Sequence, residues 1–480
     1  TRADALVGKA IDIDLSQDTG NVHRFIKANE VSVTATSGSS ILSVTIAAAG
    51  GGAGGAIGGV VLSGAGAGSG NLVDNTIEAS VDNSLIYTGD NDVVLSASDR
   101  SSIMAIAGAA SVAGGGGIIG GGIATVGASI AYNDIDNDVR AKITGSTVTS
   151  GGDIDLSANS DANIWALTVA GSFSGSGGIV GISLTGSGSN ATNSIHNTVE
   201  AYISDTPGSG RTITAENGHA VTLSAIDNAT IEANAAAGAV AFTASVAGLG
   251  VSVGASIADN DIDNTVQTYI SGAEVTGGSV ELTSSSTSTI EALSVAVSIS
   301  ATISIAGLGL AGGGASSKNT ITNTIAAFVD DNSKVTANGG AGDGAVAISA
   351  KDISKIYSDV GSGALAIGAL GASVGVSIAD NLISNTVNAY IGDAEVTSSN
   401  GDIQIMASSS DVVDALAVAT SVALSPTGLA GAGANADANI TSGIAAYVSS
   451  GAVLDAGRDI TIEAASDSNA TANVRGIAVG

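Results

Sequence analysis

The chain has no cysteine, only two prolines in 480 residues, and 2% aromatic side chains. Without cysteine there is no disulfide framework, no thiol nucleophile and no thiolate metal centre. With so few aromatics, the large-side-chain core expected of two or three globular domains of this total length cannot be built. Positive charge is scarce as well: Lys and Arg number 14 against 44 Asp and Glu, a net charge of −30. No basic stripe exists, which excludes a nucleic-acid interface. What is abundant is small and apolar. Gly occurs 68 times but without a G-X-Y period, so the chain is not collagen, and a mean hydropathy of +0.41 argues against disorder. Ala, Val and Ile dominate the remainder, and β-branched residues suit strands packed into a thin core.

Thr1–Ala28 has no basic start followed by an apolar block, so no secretory signal is legible and the chain reads as a processed or excised piece. Ser101–Asn133 carries no charge for 33 residues, long enough for a membrane span. It is interrupted by Gly114–Gly117 and Gly120–Gly122 and has no aromatic belt. Comparable stretches recur along the chain with period 2, as in Val295, Val297, Ile299, Ala301, Ile303 and Ile305. That is the alternation of strands with one buried face, and no membrane span is expected.

Self-similarity organises the chain. A motif of the form I-x-N-T-V-x-A-Y-I places its third residue at Asn75, Asn137, Asn197, Asn264, Asn323, Asn385 and Ser442, spaced by 62, 60, 67, 59, 62 and 57 residues. A second motif, G-x-D-I-x-L-S-A, begins its apolar run at Val31, Val93, Ile154, Val221, Val280, Val346, Ile403 and Ile460, again about 61 apart. Length variation concentrates between the two anchors, at Ser204–Ala220 and Asp330–Ala345, as surface turns allow. Residues 1–28 match poorly and read as an irregular N-terminal segment or cap. Residues 29–480 read as a continuous array of about seven and a half repeats.

The expected fold is all-β: an elongated β-solenoid (β-helix) in which equivalent strands stack about 4.8 Å apart. The alternative is a string of small β-sandwich domains, although Pro-rich joints are missing. One wide coil per repeat accounts for columns of like residues better than three narrow coils of about 20 residues. Stacking would align the Asn column and an aromatic column of Tyr202, Tyr269, Phe328, Tyr390 and Tyr447. An inward Asn could hydrogen-bond its neighbours above and below, or cap a bend; the sequence supports both equally. An open solenoid end exposes backbone donors and acceptors, so the chain is expected to belong to a longer array or to join end to end with other copies.

Chemistry-bearing motifs are few. The three histidines, His23, His196 and His219, show no metal-ligand spacing, and His196 lies on the outer face of its strand. No nucleophile elbow or P-loop is present, and no catalytic or cofactor-binding residue is assigned. Trp165, the sole Trp, lies opposite Ile164 in parity and reads as a surface contact or packing edge. The sharper pattern is acidic. Asp134, Asp136 and Asp138, and again Asp259, Asp261 and Asp263, sit at i, i+2, i+4 on one strand face. Such rows fit either oxygen ligation of Ca²⁺ or a solvated acidic surface.

The string N-T-V-x-A-Y-I-x-x-A-x-V-T-x-x-x-G-D-I at Asn385–Ile403, with a similar one at Asp263–Leu282, resembles repeats of very large bacterial cell-surface adhesins of the leukotoxin-like and filamentous-haemagglutinin-like kind. The resemblance covers nearly the whole chain after Ala28. It implies secretion, an extracellular or cell-surface location, a structural stalk, fibre or adhesin role, and partners that are copies of itself or surface and matrix polymers. It transfers no catalytic residue. A secreted toxin or effector module on the same repeats is the alternative, followed by a polysaccharide-acting enzyme.

Overall fold

In a computed structural model of the chain, residues 2–3, 24–340 and 344–480 are described. They form an all-β solenoid in which every strand pairing is parallel and joins one repeat to the next. Val221 pairs with Ile154 on one side and Val280 on the other, and the register continues residue by residue for 24 positions to Ala244–Ile303. One repeat is therefore one wide coil. Separate sandwich domains do not occur, since a single 19-stranded sheet runs through the array. Among the described residues no helix is long and apolar enough to cross a membrane.

We number coils 1 to 8 from Val31, Val93, Ile154, Val221, Val280, Val346, Ile403 and Ile460. Coils 1 to 7 each have an outgoing strand, a return strand and a short closing strand, in coil 2 Val93–Gly117, Gly120–Thr144 and Thr147–Ser150, and coil 8 has the outgoing run alone. In coil 3 the outgoing and return runs are continuous, Ile154–Ser204. The closing strands stack into their own 8-stranded sheet. Of residues 1–28, residues 1 and 4–23 lie outside the described residues; Arg2–Ala3 and Arg24–Ala28 are strands that pair with coil 1.

The coil cross-section has two parts with opposite packing logic. In the lobe, the closing strand meets the start of the outgoing strand and the end of the return strand around Val, Ile and Leu, including Leu95, Ile143, Val148, Leu156 and Ile203. In coils 1, 2 and 4 the corner into the closing strand is turned by a left-handed residue, Asn83 (φ 46°), Gly145 (φ 53°) and Gly272 (φ 66°). The G-x-D motif forms the other corner. Its aspartate accepts the backbone N–H one coil on: Asp153 N–H to Asp92 Oδ1 at 2.8 Å and Ala220 N–H to Asp153 Oδ1 at 2.8 Å.

Beyond the lobe the outgoing and return strands run face to face as a thin wing. Here the interior holds mostly Ala, Gly, Ser and Thr, with Val61 and Ile123 as bulky exceptions, and most bulky residues face out. Val297 is 43% exposed, Ile303 64% and Ile305 85%, so the apolar parity of this stretch points to solvent and not to a core. Interior hydroxyls bond the opposing backbone directly: Ser252 Oγ to Ala239 O at 2.7 Å, Ser300 Oγ to Gly250 O at 2.8 Å, Ser183 Oγ to Phe242 O at 2.8 Å. The layers approach so closely that a Cβ on Gly313 would lie 2.6 Å from Gly363 O.

The wing also alternates from coil to coil. On the outer face of the return strand one column reads Gly64, Val126, Gly186, Val253, Gly312, Val374, Gly431. On the outer face of the outgoing strand another reads Ile46, Gly108, Val169, Ala236, Val295, Gly361, Val418, bulky where the first is glycine. The interior contacts Ser111–Ser63 and Thr168–Ser189 put these columns back to back within two residues. The structural unit is thus two coils.

Candidate functional site

Between lobe and wing runs a buried polar spine. The Asn column of the repeat motif is buried in it, from Asn75 to Asn385, on the same inward face as Ile262, Val266, Thr268 and Ile270. Its carboxamides cap a break in the ladder. The backbone N–H of Asn197 donates to Asn264 Oδ1 at 2.7 Å, that of Asn264 to Asn323 Oδ1 at 2.9 Å, and that of Asn323 to Asn385 Oδ1 at 2.8 Å. The amide nitrogens then reach across the interior. Asn197 and Asn264 each donate to one oxygen of Asp227, at 3.1 and 2.7 Å, and Asn137 donates to Asp99. So the bend-capping geometry is the one present at these positions.

The side-chain-to-side-chain Asn ladder exists four residues earlier, where the sequence reading placed nothing. Nδ2 of Asn71, Asn133, Asn193, Asn260 and Asn319 each donates to Oδ1 of the next, ending at Asn381, at 2.7–2.8 Å throughout. The signal was an N-x-x-x-N spacing in six successive repeats. Asn260→Ala would orphan the amide of Asn193 and the carbonyl oxygen of Asn319 at once. We expect a loss of about 1–3 kcal/mol, read as earlier thermal unfolding and faster local hydrogen exchange in coils 3–5.

The aspartates of the spine lie on alternate coils in the column Ser37, Asp99, Ser160, Asp227, Ser286, Asp352, Ser409. Within this column a serine separates successive aspartates by two coils; outside it, the buried Asp411 of the next coil lies beside Asp352. Burial pushes the Asp227 carboxyl up to about 6, against the pull of hydrogen bonds from Asn197, Ser160 and Asn264. Asp352 is raised further, first by burial and then by Asp411 beside it.

The acidic candidates lie on the outer face of the return strands. Asp134 and Asp261 share one column with Ser194 between them; Asp136 and Asp263 share the next with His196 between. The two acidic rows are therefore two coils apart, about 9.6 Å. The side chains of Ser194 and His196 lie between the two rows. Within a row the carboxylates are spread along a strand, and among the described residues no three His, Cys, Asp or Glu groups are arranged to hold a metal ion. Basic side chains are interleaved with these carboxylates. His196 sits 3.5 Å from Asp261 and 3.9 Å from Asp134, and its imidazole is raised above its usual value first by the Asp261 hydrogen bond. Arg140 joins Asp138 and Glu200, at 2.9 and 2.8 Å, and Asp259 has Lys318 as its neighbour in the ladder. The donor set fits a compensated acidic surface better than a built Ca²⁺ site.

The aromatic column is fully assembled. Tyr202, Tyr269, Phe328, Tyr390 and Tyr447 stack at centroid separations of 4.6, 5.1, 4.8 and 5.0 Å, with planes within 8° of parallel. The coil spacing imposes this face-to-face geometry, which free rings avoid. Inner ring faces are covered by their neighbours, so the column presents edges and phenol hydroxyls to solvent. Burial within the stack pushes the Tyr390 phenol up to about 12. Phe328→Ala would remove two of the four stacked contacts, for an expected loss of about 1–3 kcal/mol in thermal unfolding. Trp165 lies on the outer face of the outgoing strand, in a column with Met104 and Glu232, while Ile164 is buried.

No protein-family model, no curated protein and no solved structure matches the chain.

Proposed function

We propose that this protein is an extracellular structural element, a stalk, fibre or adhesin segment at a bacterial cell surface that extends by continuing its coils end to end. The observation that carries the reading is the unbroken register of parallel pairing from coil 1 to coil 8. Backbone ladders of this kind give length and stiffness, and they leave few loops for proteases. On the far side of coil 8, Ile460–Ser466 and Asn469–Val479 are exposed and pair on one side only. Any following coil, from the same chain or from another copy, would continue their ladder. The net charge of −30 supports solubility of so apolar a rod. The reading assigns no catalysis.

Electron microscopy of the purified protein tests it, with and without a chelator of divalent cations. Rods that lengthen with concentration and persist in chelator are expected. Compact, discrete particles at every concentration would overturn the fibre reading, and rods that dissolve in chelator would restore calcium as a requirement.

A further inference from the structure

The wing is packed inside out, and one column on each outer face alternates in opposite phase. In these two columns the outgoing residue is bulky and the return residue is glycine on odd coils, and the outgoing residue is small and the return residue is valine on even coils. Each of the two columns is therefore corrugated, with ridges two coils apart, about 9.6 Å. Translating one copy across the wing of another, with no shift along the rod, sets the ridges of these two columns against each other's troughs. The odd-coil ridges of an outgoing face, such as Val169 and Val295, meet the glycine rows of a return face, such as Gly186 and Gly312. The even-coil ridges Val253 and Val374 meet the rows of Ala236 and Gly361. Intramolecular strand pairing explains none of this, because among the described residues no further strand pairs across either face.

We propose that the wing is a lateral docking surface for a second copy of this chain, outgoing face on return face, parallel and in axial register. Interlocking of one face alone would leave the phase of the other free; two faces in antiphase on the same coil are what repeated front-to-back stacking requires. The occupant is argued from composition and area as well. The patch spans seven coils and about ten residues of strand, hence about 1,000 Å² per face and about 2,000 Å² per contact, within the range of stable interfaces. It exceeds the largest apolar patch usual on a monomer, about 300–600 Å². It is also uncharged at its centre in a strongly acidic protein: Val126 is 56% exposed, Val253 49% and Val374 53%. Acidic residues, among them Glu232, Glu291 and Asp414, fall in the bordering column on the lobe side as a polar rim. Because the two faces differ, the contact is heterologous and does not close, so stacking propagates sideways. It is separate from end-to-end growth and does not depend on it.

The absence of cysteine makes the test clean. In the double variant Val169→Cys, Gly188→Cys the two thiols lie on opposite outer faces of coil 3 and cannot meet within one chain. Mild oxidation is expected to give a ladder of disulfide-linked dimers, trimers and higher species, since the front of one copy meets the back of the next. Glycines 186, 188 and 314 have open space where a Cβ would go, so these positions accept side chains without disturbing the coil. Gly314→Lys, placed in a trough, should keep the thermal transition and weaken lateral association in sedimentation velocity by about tenfold or more. Three results would overturn the proposal: wild-type protein that shows no side-by-side association at any concentration, single-cysteine variants that cross-link as well as the double variant, or Gly314→Lys associating like wild type.

Discussion

Gly313→Val is expected to cost about 3 kcal/mol or more, at or beyond the upper end of ordinary overpacking, while Gly314→Val next to it should change stability by no more than about 0.5 kcal/mol. The contrast follows from the wing. Gly313 points into the interior, where an added Cβ would come 2.6 Å from the carbonyl oxygen of Gly363 and 3.4 Å from that of Ala296. Both obstacles are backbone in hydrogen-bonded strands, so relief requires the two layers to part. Parting them would break interior hydroxyl bonds such as Ser298 Oγ to Ser252 O, 2.7 Å. Gly314 faces out, with nothing within 4 Å of the new atom, and valine favours strands. Repeat arrays lose global cooperativity, so the damage should be local. Hydrogen exchange resolved by segment is the proper readout: accelerated exchange in the wing of coils 4–6, with the lobe protected. Equal effects of the two substitutions would contradict the inside-out packing.

The second large effect concerns pH. Asp227 is fully buried and its carboxyl lies near 6, well above its ordinary 3.8, because desolvation outweighs three hydrogen bonds; Asp161 adds repulsion and no cation is among the causes. A carboxyl raised in the folded state binds more protons folded than unfolded. Stability from this group is thus fully present below about pH 4 and lost as pH rises through about 6. A displacement of about two units corresponds to about 3 kcal/mol, and Asp99 and Asp352 are raised in the same direction. Thermal unfolding should therefore occur at higher temperature at pH 4.5 than at pH 7.5. Asp227→Ser, which copies the Ser160 and Ser286 of the neighbouring coils, should flatten that slope. A transition temperature that rises from pH 4.5 to 7.5 would show that the buried carboxylates do not govern stability.

Much of the architecture was legible before any coordinates. Two motifs with one period fixed the coil length, and like residues in like places predicted the Tyr–Phe stack, because parallel in-register strands leave no other arrangement. The two-coil period was equally present in the letters, as Gly64 against Val126 and Gly186 against Val253. Similarity between neighbouring repeats gives the 61-residue period and hides an alternation of period two. The parity of Val295 to Ile305 does not by itself say which side is buried, for a physical reason. Period 2 shows that the two faces differ and does not show which is inside. When the alternate residues are Ala, Ser and Gly, two sheets can close on the small side, and hydroxyl-to-backbone bonds replace a hydrocarbon core. The acidic rows Asp134–Asp138 and Asp259–Asp263 looked like neighbours in type, yet the intervening coil with Ser194 and His196 separates them, a fact of stacking order.

The account rests on one wide coil per repeat, and spin-label distances along a single outward column test it most directly. Ser96, Ser157, Ser224, Thr283, Ser349 and Met406 are successive partners in that column. Paired labels should separate in equal steps of about 4.8 Å per coil, reaching about 24 Å between positions 96 and 406. Three narrow coils per repeat would instead put those two positions about 72 Å apart, and that value would contradict the structure described above.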